Sequence, residues 1–298
     1  MMVTGRESVG VDDEDVVDVA LEVPARTWWS STFRRSPDLG AQMAEAVSAV
    51  RPPRTVQYIA VLGGKGGAGK TTTSTALGSV FAAKLRERVV VVDANPDKGT
   101  LKLKMPMGQQ VRPLHLLAGR TDQIHSHAQL DPYLLRNDVG LDAMVSSRRR
   151  DVRADEGTYR EVLTSLRDDY RVVIADCGTS STSGAARAVF AVARQLVLVT
   201  PARVDGFYGL LETIDELVDL GLGDLVGEAT AVITGVSATS SVDVDKMHAD
   251  LKRRCAVVRR VPWDPHLDAG AALDFAVLQP ETKVAYARIA ATVTARFR

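Results

Sequence analysis

An α/β fold, with a doubly wound, mostly parallel sheet and helices on both faces, is the architecture this sequence predicts. Three observations predict it. Val89–Val92 is an unbroken valine run, too apolar for a strand with one wet face and suited to a parallel strand covered on both sides. From Val56 onward, short apolar runs alternate with segments of helical length, the rhythm of βαβ units. The first of these runs ends in glycines that lead directly into a helical segment.

Taken in order, Val56–Leu62 is a strand stopped by Gly63 and Gly64, and Thr72–Leu85 is a helix. The valine run follows. The pattern resumes with strand Val172–Ala175, helix Ala185–Ala193, strand Leu196–Val199 and helix Tyr208–Leu220. Strand Thr230–Gly235, helix Val244–Arg254, strand Ala256–Val261 and a final helix over Glu281–Arg296 complete it. Ligands of such sheets bind beyond the carboxyl ends of the strands, so residues just after each strand are where chemistry is to be sought. Gly119–Asp138 is polar and resists assignment; its His125 and His127 have no accompanying acid or cysteine cluster and read as solvated surface histidines.

Residues 1–53 read as an acidic N-terminal tail plus a short Trp-containing helical segment, and residues 54–298 as the α/β domain. Glu7, Asp12, Asp13, Glu14, Asp15, Asp18 and Glu22 stand against Arg6 alone, the composition of a disordered or partner-bound segment. Arg26, Trp28, Trp29 and Phe33 follow, then a helical pattern through Leu39, Met43, Ala46 and Val50 that stops at Pro52-Pro53. The paired tryptophans either pack on the chain's own body or form a docking patch for a partner.

Composition excludes several classes. Lys+Arg and Asp+Glu are both 37 among 298 residues, so there is no strongly basic coat for nucleic acid. Hydrophobic content of 45% and charged content of 25% are those of an ordinary globular protein. Cys177 and Cys255 are the only cysteines, too few for a disulfide framework or a cysteine-rich metal centre. No apolar stretch has the ~18 residues of a membrane span, and the acidic start lacks a secretory h-region. The expected compartment is the cytoplasm.

Residues 62–73 read Leu-Gly-Gly-Lys-Gly-Gly-Ala-Gly-Lys-Thr-Thr-Thr, in which Gly64, Gly69, Lys70 and Thr71 satisfy G-x-x-x-x-G-K-[ST]. The context of strand before and helix after is the right one. Glycines let successive N–H groups turn inward toward phosphate oxygens, and the helix N-terminus adds partial positive charge. Lys70 is placed for the β- and γ-phosphates, and the Thr71 hydroxyl for Mg²⁺, a hard cation that prefers oxygen.

Lys65 is a second lysine inside the same loop. The run Lys65-Gly66-Gly67-Ala68-Gly69-Lys70-Thr71-Thr72 resembles the deviant Walker A motif of the MinD/ParA family of P-loop ATPases. The resemblance extends from about Val56 to Arg298. It implies ATP and Mg²⁺ as cofactors, and a homodimer with ATP in which Lys65 reaches the nucleotide of the other subunit. Catalytic positions would be Lys65, Lys70, Asp93 and Asn95. Metal-holding positions would be Thr71, Asp93 and the Walker B-type Asp176. Nucleotide contacts would come from Gly64 through Thr72, with Pro262 and Trp263 as wall residues beside the base. The segments around Asp93–Leu101, Asp176–Thr179, Val199–Pro201 and Val261–Leu267 look closest to actinobacterial MinD-like ATPases that accompany type VII secretion, implying a protein partner there.

Two departures matter. Relatives carry an acid directly before the proline of the switch I-like loop, where this chain has Asn95 before Pro96. An amide can position the attacking water but cannot take its proton, so hydrolysis should be slow; Asp93 or Asp97 is the substitute acid. The asparagine that reads adenine in relatives is replaced by Thr234-Gly235-Val236. Cys177 reads as a buried small residue.

Competing readings are carried by particular residues. DNA binding would use Arg148-Arg149-Arg150 with Arg153, and Lys252-Arg253-Arg254 with Arg259-Arg260. Membrane cycling would use the C-terminal stripe Val284, Ile289, Val293 and Phe297, which equally reads as the last helix packed on the sheet. A nucleotide-dependent scaffold with little turnover is favoured by Asn95.

Overall fold

Alternation along the central strands builds two cores at once. Tyr58, Ala60 and Leu62 point into one layer, and Ile59 and Val61 into the other, all buried. The computed structural model describes residues 37–96, 99–147, 154–240 and 242–297. In chain order the elements are α1 (Pro37–Ser48), β1 (Gln57–Leu62), α2 (Lys70–Leu85), β2 (Val89–Ala94), β3 (Leu135–Arg136), β4 (Asp142–Met144), α3 (Glu156–Ser165) and β5 (Val172–Cys177). They continue with α4 (Gly184–Phe190), β6 (Gln195–Pro201), α5 (Val204–Asp219), α6 (Gly223–Gly227), β7 (Thr230–Val236), α7 (Val244–Lys252), β8 (Val257–Pro262), α8 (Pro265–Asp268) and α9 (Pro280–Thr294). Between β2 and β3 the chain descends through short 3-10 turns.

The sheet order is β3-β4-β2-β5-β1-β6-β7-β8, parallel except for the β3–β4 edge pair. Helices α3 to α7 cover one face, and α1, α2 and α9 the other. The predicted doubly wound sheet is therefore the observed one. The chain leaves β1 toward β2 and β5 on one side, and later toward β6 on the other. The crevice at the carboxyl end of β1 is thus the switch point where such sheets take ligands. Helix α2 is buried nearly all round, from Thr73 through Phe81, because it lies between the sheet and α9.

Several expectations are corrected or completed. Val284, Ile289 and Val293 of the C-terminal stripe are fully or almost fully buried, and Phe297 packs on Phe81 with ring centroids 6.0 Å apart. That stripe is core, so it is not a detachable membrane face. Met43, Ala46 and Val50 of the first helix join the same core. His127 is not a solvated surface histidine. Only 17% of its side chain is exposed, and it packs edge-on against Tyr170 and stands 3.5 Å from Asp142. Three of the five basic residues near the second edge are ion-paired: Arg253 with Asp250, Arg254 with Asp215, and Arg260 with Asp245. Arg26, Trp28, Trp29, Phe33, Asp97, Arg148, Arg149, Arg150 and Arg153 lie outside the described residues.

Candidate functional site

The phosphate-type loop is shaped by what a side chain would strike. A Cβ on Gly64 would stand 1.9 Å from the backbone of Gly209, so the loop presses directly onto α5. Gly69 closes the loop with φ +88°, the left-handed conformation that L side chains avoid. At Gly66 and Gly67 a Cβ would meet nothing within 4 Å, so that rim of the loop is open. Thr234 Oγ donates to the Ala68 carbonyl (3.0 Å), which pins the loop to β7. The residue standing where an adenine reader was absent therefore holds the loop's shape.

The two lysines diverge. Lys70 is buried, and its Nζ donates 2.9 Å to the Lys65 carbonyl, so the ammonium sits inside the loop. Burial lowers its pKa, and the Asp176 charge opposes that shift. The Lys65 side chain is 51% exposed, and its Nζ lies 3.9 Å from Asp205 at the start of α5.

Asp93 and Asp176 are partners in the register of β2 and β5 and both are buried. Burial, and then the neighbouring Asp176 charge, push the Asp93 carboxyl up to about 7. Burial pushes Asp176 up to about 6, against hydrogen bonds from Thr71 and Ser74 and the charge of Lys70. Ser74 Oγ donates to Asp176 Oδ1 (3.1 Å), and Ser146 Oγ to Asp93 Oδ2 (3.0 Å). The Asn95 N–H donates to Asp93 Oδ1 (3.1 Å), and the Asn95 carbonyl accepts from Ser146 Oγ (3.3 Å). Its side chain lies against Gly178 of the loop after β5. Asn95 thus bridges the switch I-like loop and the loop after β5.

A bound Mg²⁺ nucleotide fits these residues. Mg²⁺ is characteristically held by one or two carboxylates and a hydroxyl, with phosphates and waters completing the shell. Thr71, Asp93 and Asp176 supply oxygen only. Among the described residues no group of three or more His, Cys, Asp or Glu could hold a metal by itself, so phosphate oxygens are needed. A cation bound between these two buried acids would favour their ionised forms.

Other predicted residues are placed less centrally. Thr72 lies in the first turn of α2 and is half-buried. Pro262 ends β8, and Trp263 is 46% exposed beside it, its N–H donating to the Val236 carbonyl (2.8 Å). Cys177 is buried, as expected, with its thiol directed at the Ala175 carbonyl and its pKa pushed up by burial. Sequence reasoning missed Ser74, Ser146 and Thr100. Ser74 had a signal, being one helical turn after Lys70 on the same face. Ser146 and Thr100 had none, because only the folded topology brings them to Asp93 and Thr71.

A glycine-rich loop between a buried strand and helix, with two acids at neighbouring strand ends, defines a P-loop NTPase fold of the MinD/ParA type. The chain belongs to the AAA domain family, whose model matches residues 56–220. The solved cell division ATPase MinD of Pyrococcus furiosus superposes with a TM-score of 0.62 at 18% identity, covering 80% of this chain and 98% of that one. Cobyrinic acid a,c-diamide synthase of Mycobacterium smegmatis, solved with an ATP analog and magnesium, gives a TM-score of 0.56 at 21% identity, covering 79% and 92%. In sequence, the ESX-1 secretion-associated protein EspI of Mycobacterium tuberculosis is 27% identical over 269 residues. That match takes in 88% of this chain but only 40% of the relative's length. An uncharacterized ATP-binding protein of Methanocaldococcus jannaschii is 28% identical over 77% of this chain and 83% of its own.

Proposed function

We propose that this protein is an ATP-dependent dimerisation switch with slow, Mg²⁺-dependent hydrolysis, acting as an accessory to type VII secretion. The observation that carries the reading is the division between the two loop lysines. Lys70 is turned inward, where β- and γ-phosphates would sit. Lys65 is half exposed, held only by an exposed ion pair with Asp205, and would exchange that pair for a second subunit's nucleotide. Charges meeting in a water-poor interface attract far more strongly than in bulk water, so a γ-phosphate there would act as glue. Thr71, Asp93 and Asp176 would hold the Mg²⁺, which neutralises charge on the transferring phosphoryl group. Asn95 would position the attacking water. It lies beside Asp93, yet offers no proton acceptor, which supports slow turnover.

The secretion role rests on the extent of the match to the secretion-associated relative, most of this chain. The protein's place is proposed as cytoplasmic; among the described residues no helix is long and apolar enough to cross a membrane. The partitioning alternative loses support from the ion pairs that neutralise Arg253, Arg254 and Arg260. Calorimetry with ATP and ADP in Mg²⁺, followed by a single-turnover hydrolysis assay, tests the reading. Tight binding with measurable phosphate release supports a slow ATPase. Binding without release supports a nucleotide-dependent scaffold, and no binding contradicts both.

A further inference from the structure

The loop that follows β2 returns to the site in a way that the two acids do not explain. Gly99 packs against Asp93 so closely that a Cβ there would lie 1.8 Å from Asp93 Oδ2 and 2.3 Å from Ser146 Oγ. Only glycine fits, and its approach delivers the next residue, Thr100, to the phosphate-type loop. Thr100 Oγ lies 3.1 Å from Thr71 Oγ, the hydroxyl placed for the metal. Beyond Thr100 the chain enters a 3-10 turn, Leu101–Lys104, anchored by the buried Leu101 and Met105. At its end Lys104 Nζ donates to the carbonyls of Gly270 (2.8 Å) and Ala271 (3.1 Å), and the Lys104 carbonyl accepts from the Leu273 N–H (3.1 Å).

Those carbonyls belong to the loop after β8, which begins at Trp263, the residue that the family resemblance sets beside the base. That loop is tied into one unit. Asp264 accepts from the N–H groups of His266 and Gln279, and His266 Nε2 lies 3.1 Å from the Ala272 carbonyl. One short segment therefore touches the Thr71 hydroxyl at one end and grips the loop after β8 at the other.

We propose that Thr100 is a second hydroxyl of the Mg²⁺ site, and that Gly99–Met105 carries metal occupancy to the loop after β8 through Lys104. This rests on the Mg²⁺-nucleotide reading above. In the structure the Thr71 hydroxyl gives its proton to Asp176, so the Thr100 hydroxyl donates to the Thr71 oxygen. When the Thr71 oxygen is committed to the ion, Thr100 loses that partner and turns its own oxygen to the ion or to one of its waters. Both hydroxyls are hard neutral donors of the kind Mg²⁺ accepts beside carboxylates. Lys104 then fixes the loop after β8 in the metal-bound position. It acts by positioning and touches no reacting atom.

The test uses the full chain, a non-hydrolysable ATP analogue and Mn²⁺ as a spectroscopic substitute for Mg²⁺. Mn²⁺ affinity is read by electron paramagnetic resonance, and amide exchange is read across residues 269–274. Wild type should bind the metal and slow exchange in that loop only when metal is added. Thr100→Val should bind the analogue normally in EDTA, but lose about tenfold in Mn²⁺ affinity, the usual scale for a supporting metal contact. It should also lose the metal-dependent slowing, and Thr100→Ser should restore both. Lys104→Met should keep the Mn²⁺ affinity and lose the slowing. Unchanged Mn²⁺ affinity in Thr100→Val, failure of Thr100→Ser to rescue, or retained slowing in Lys104→Met would overturn the proposal. Wild type that fails to bind the analogue in EDTA and with metal overturns the nucleotide reading itself, a result distinguishable from the others.

Discussion

The sheet buries aspartates in two places and treats them differently. At the β3–β4 edge, Asp142 is surrounded by its own partners: Arg136 Nε donates to Oδ1 (2.6 Å) and Tyr170 Oη to Oδ2 (2.8 Å). At the carboxyl ends of β2 and β5, Asp93 and Asp176 face one another. Hydroxyls and the N–H groups of Asn95 and Ser146 help them, and among the described residues the lysine acting on Asp176 is Lys70, turned to a loop carbonyl. The first arrangement is complete and holds the edge pair to Tyr170 and the strap before β3. On the reading proposed above, the second is completed by a cation. A buried carboxylate with its own arginine is architecture, whereas a buried pair without one is a place for something else to bind.

The comparison can be broken most forcefully at Arg136. Arg136→Met should destabilise the fold by about 3 kcal/mol, the lower end for unpairing a buried charge because the arginine itself is half exposed. Nucleotide affinity measured on the folded variant should not change. Next in size, Lys70→Ala should weaken ATP binding on the order of a hundredfold, since a charged donor to phosphate is worth up to ~3 kcal/mol. Urea stability should move little. If both variants lost stability and affinity together, the two regions would not be separable in the way proposed.

Much of this division was hidden in the sequence, and the reasons are physical. The valine run, the strand rhythm and the loop Gly64–Thr71 announce themselves because they are local. Strands β3 and β4 are two and three residues long and carry no period of their own. Helix α3 was missed although Asp155 caps it by accepting from the Thr158 N–H, because the run Arg148-Arg149-Arg150 with Arg153 just before it drew the reading to surface charge. His127 looked solvated because its neighbours Arg136, Asp142 and Tyr170 are far away in the chain. Thr234 was noticed only as a missing asparagine, while its hydroxyl proves to brace Ala68. Contacts made by topology leave no mark in spacing.

Smaller effects sharpen the second region. Asn95→Asp should raise turnover roughly tenfold, about 1.4 kcal/mol of barrier, if a proton acceptor beside the water is what is missing. A flat rate would leave Asn95 as a positioning group only. The smallest effect concerns pH. Asp93 has a folded pKa of about 7, above its ordinary value near 3.8, so the folded state holds its proton where the unfolded chain has released it. The stability this provides is fully present below about pH 4 and is lost as pH rises through 7. Thermal unfolding of the nucleotide-free protein should therefore show stability falling between about pH 4 and pH 7. Asp93→Asn should flatten most of that slope, and an unchanged slope would remove Asp93 as its source.

The central claim is that the inward lysine holds nucleotide and the outward lysine joins two subunits. Multi-angle light scattering of wild type and Lys65→Ala, each with Mg²⁺-ATP and with Mg²⁺-ADP, tests it most directly. The account predicts a dimer mass for wild type in ATP alone. Lys65→Ala should remain at monomer mass in both nucleotides while calorimetry shows it still binding ATP. A wild-type mass that is the same in ATP and ADP, or a Lys65→Ala protein that dimerises in ATP as wild type does, would contradict it.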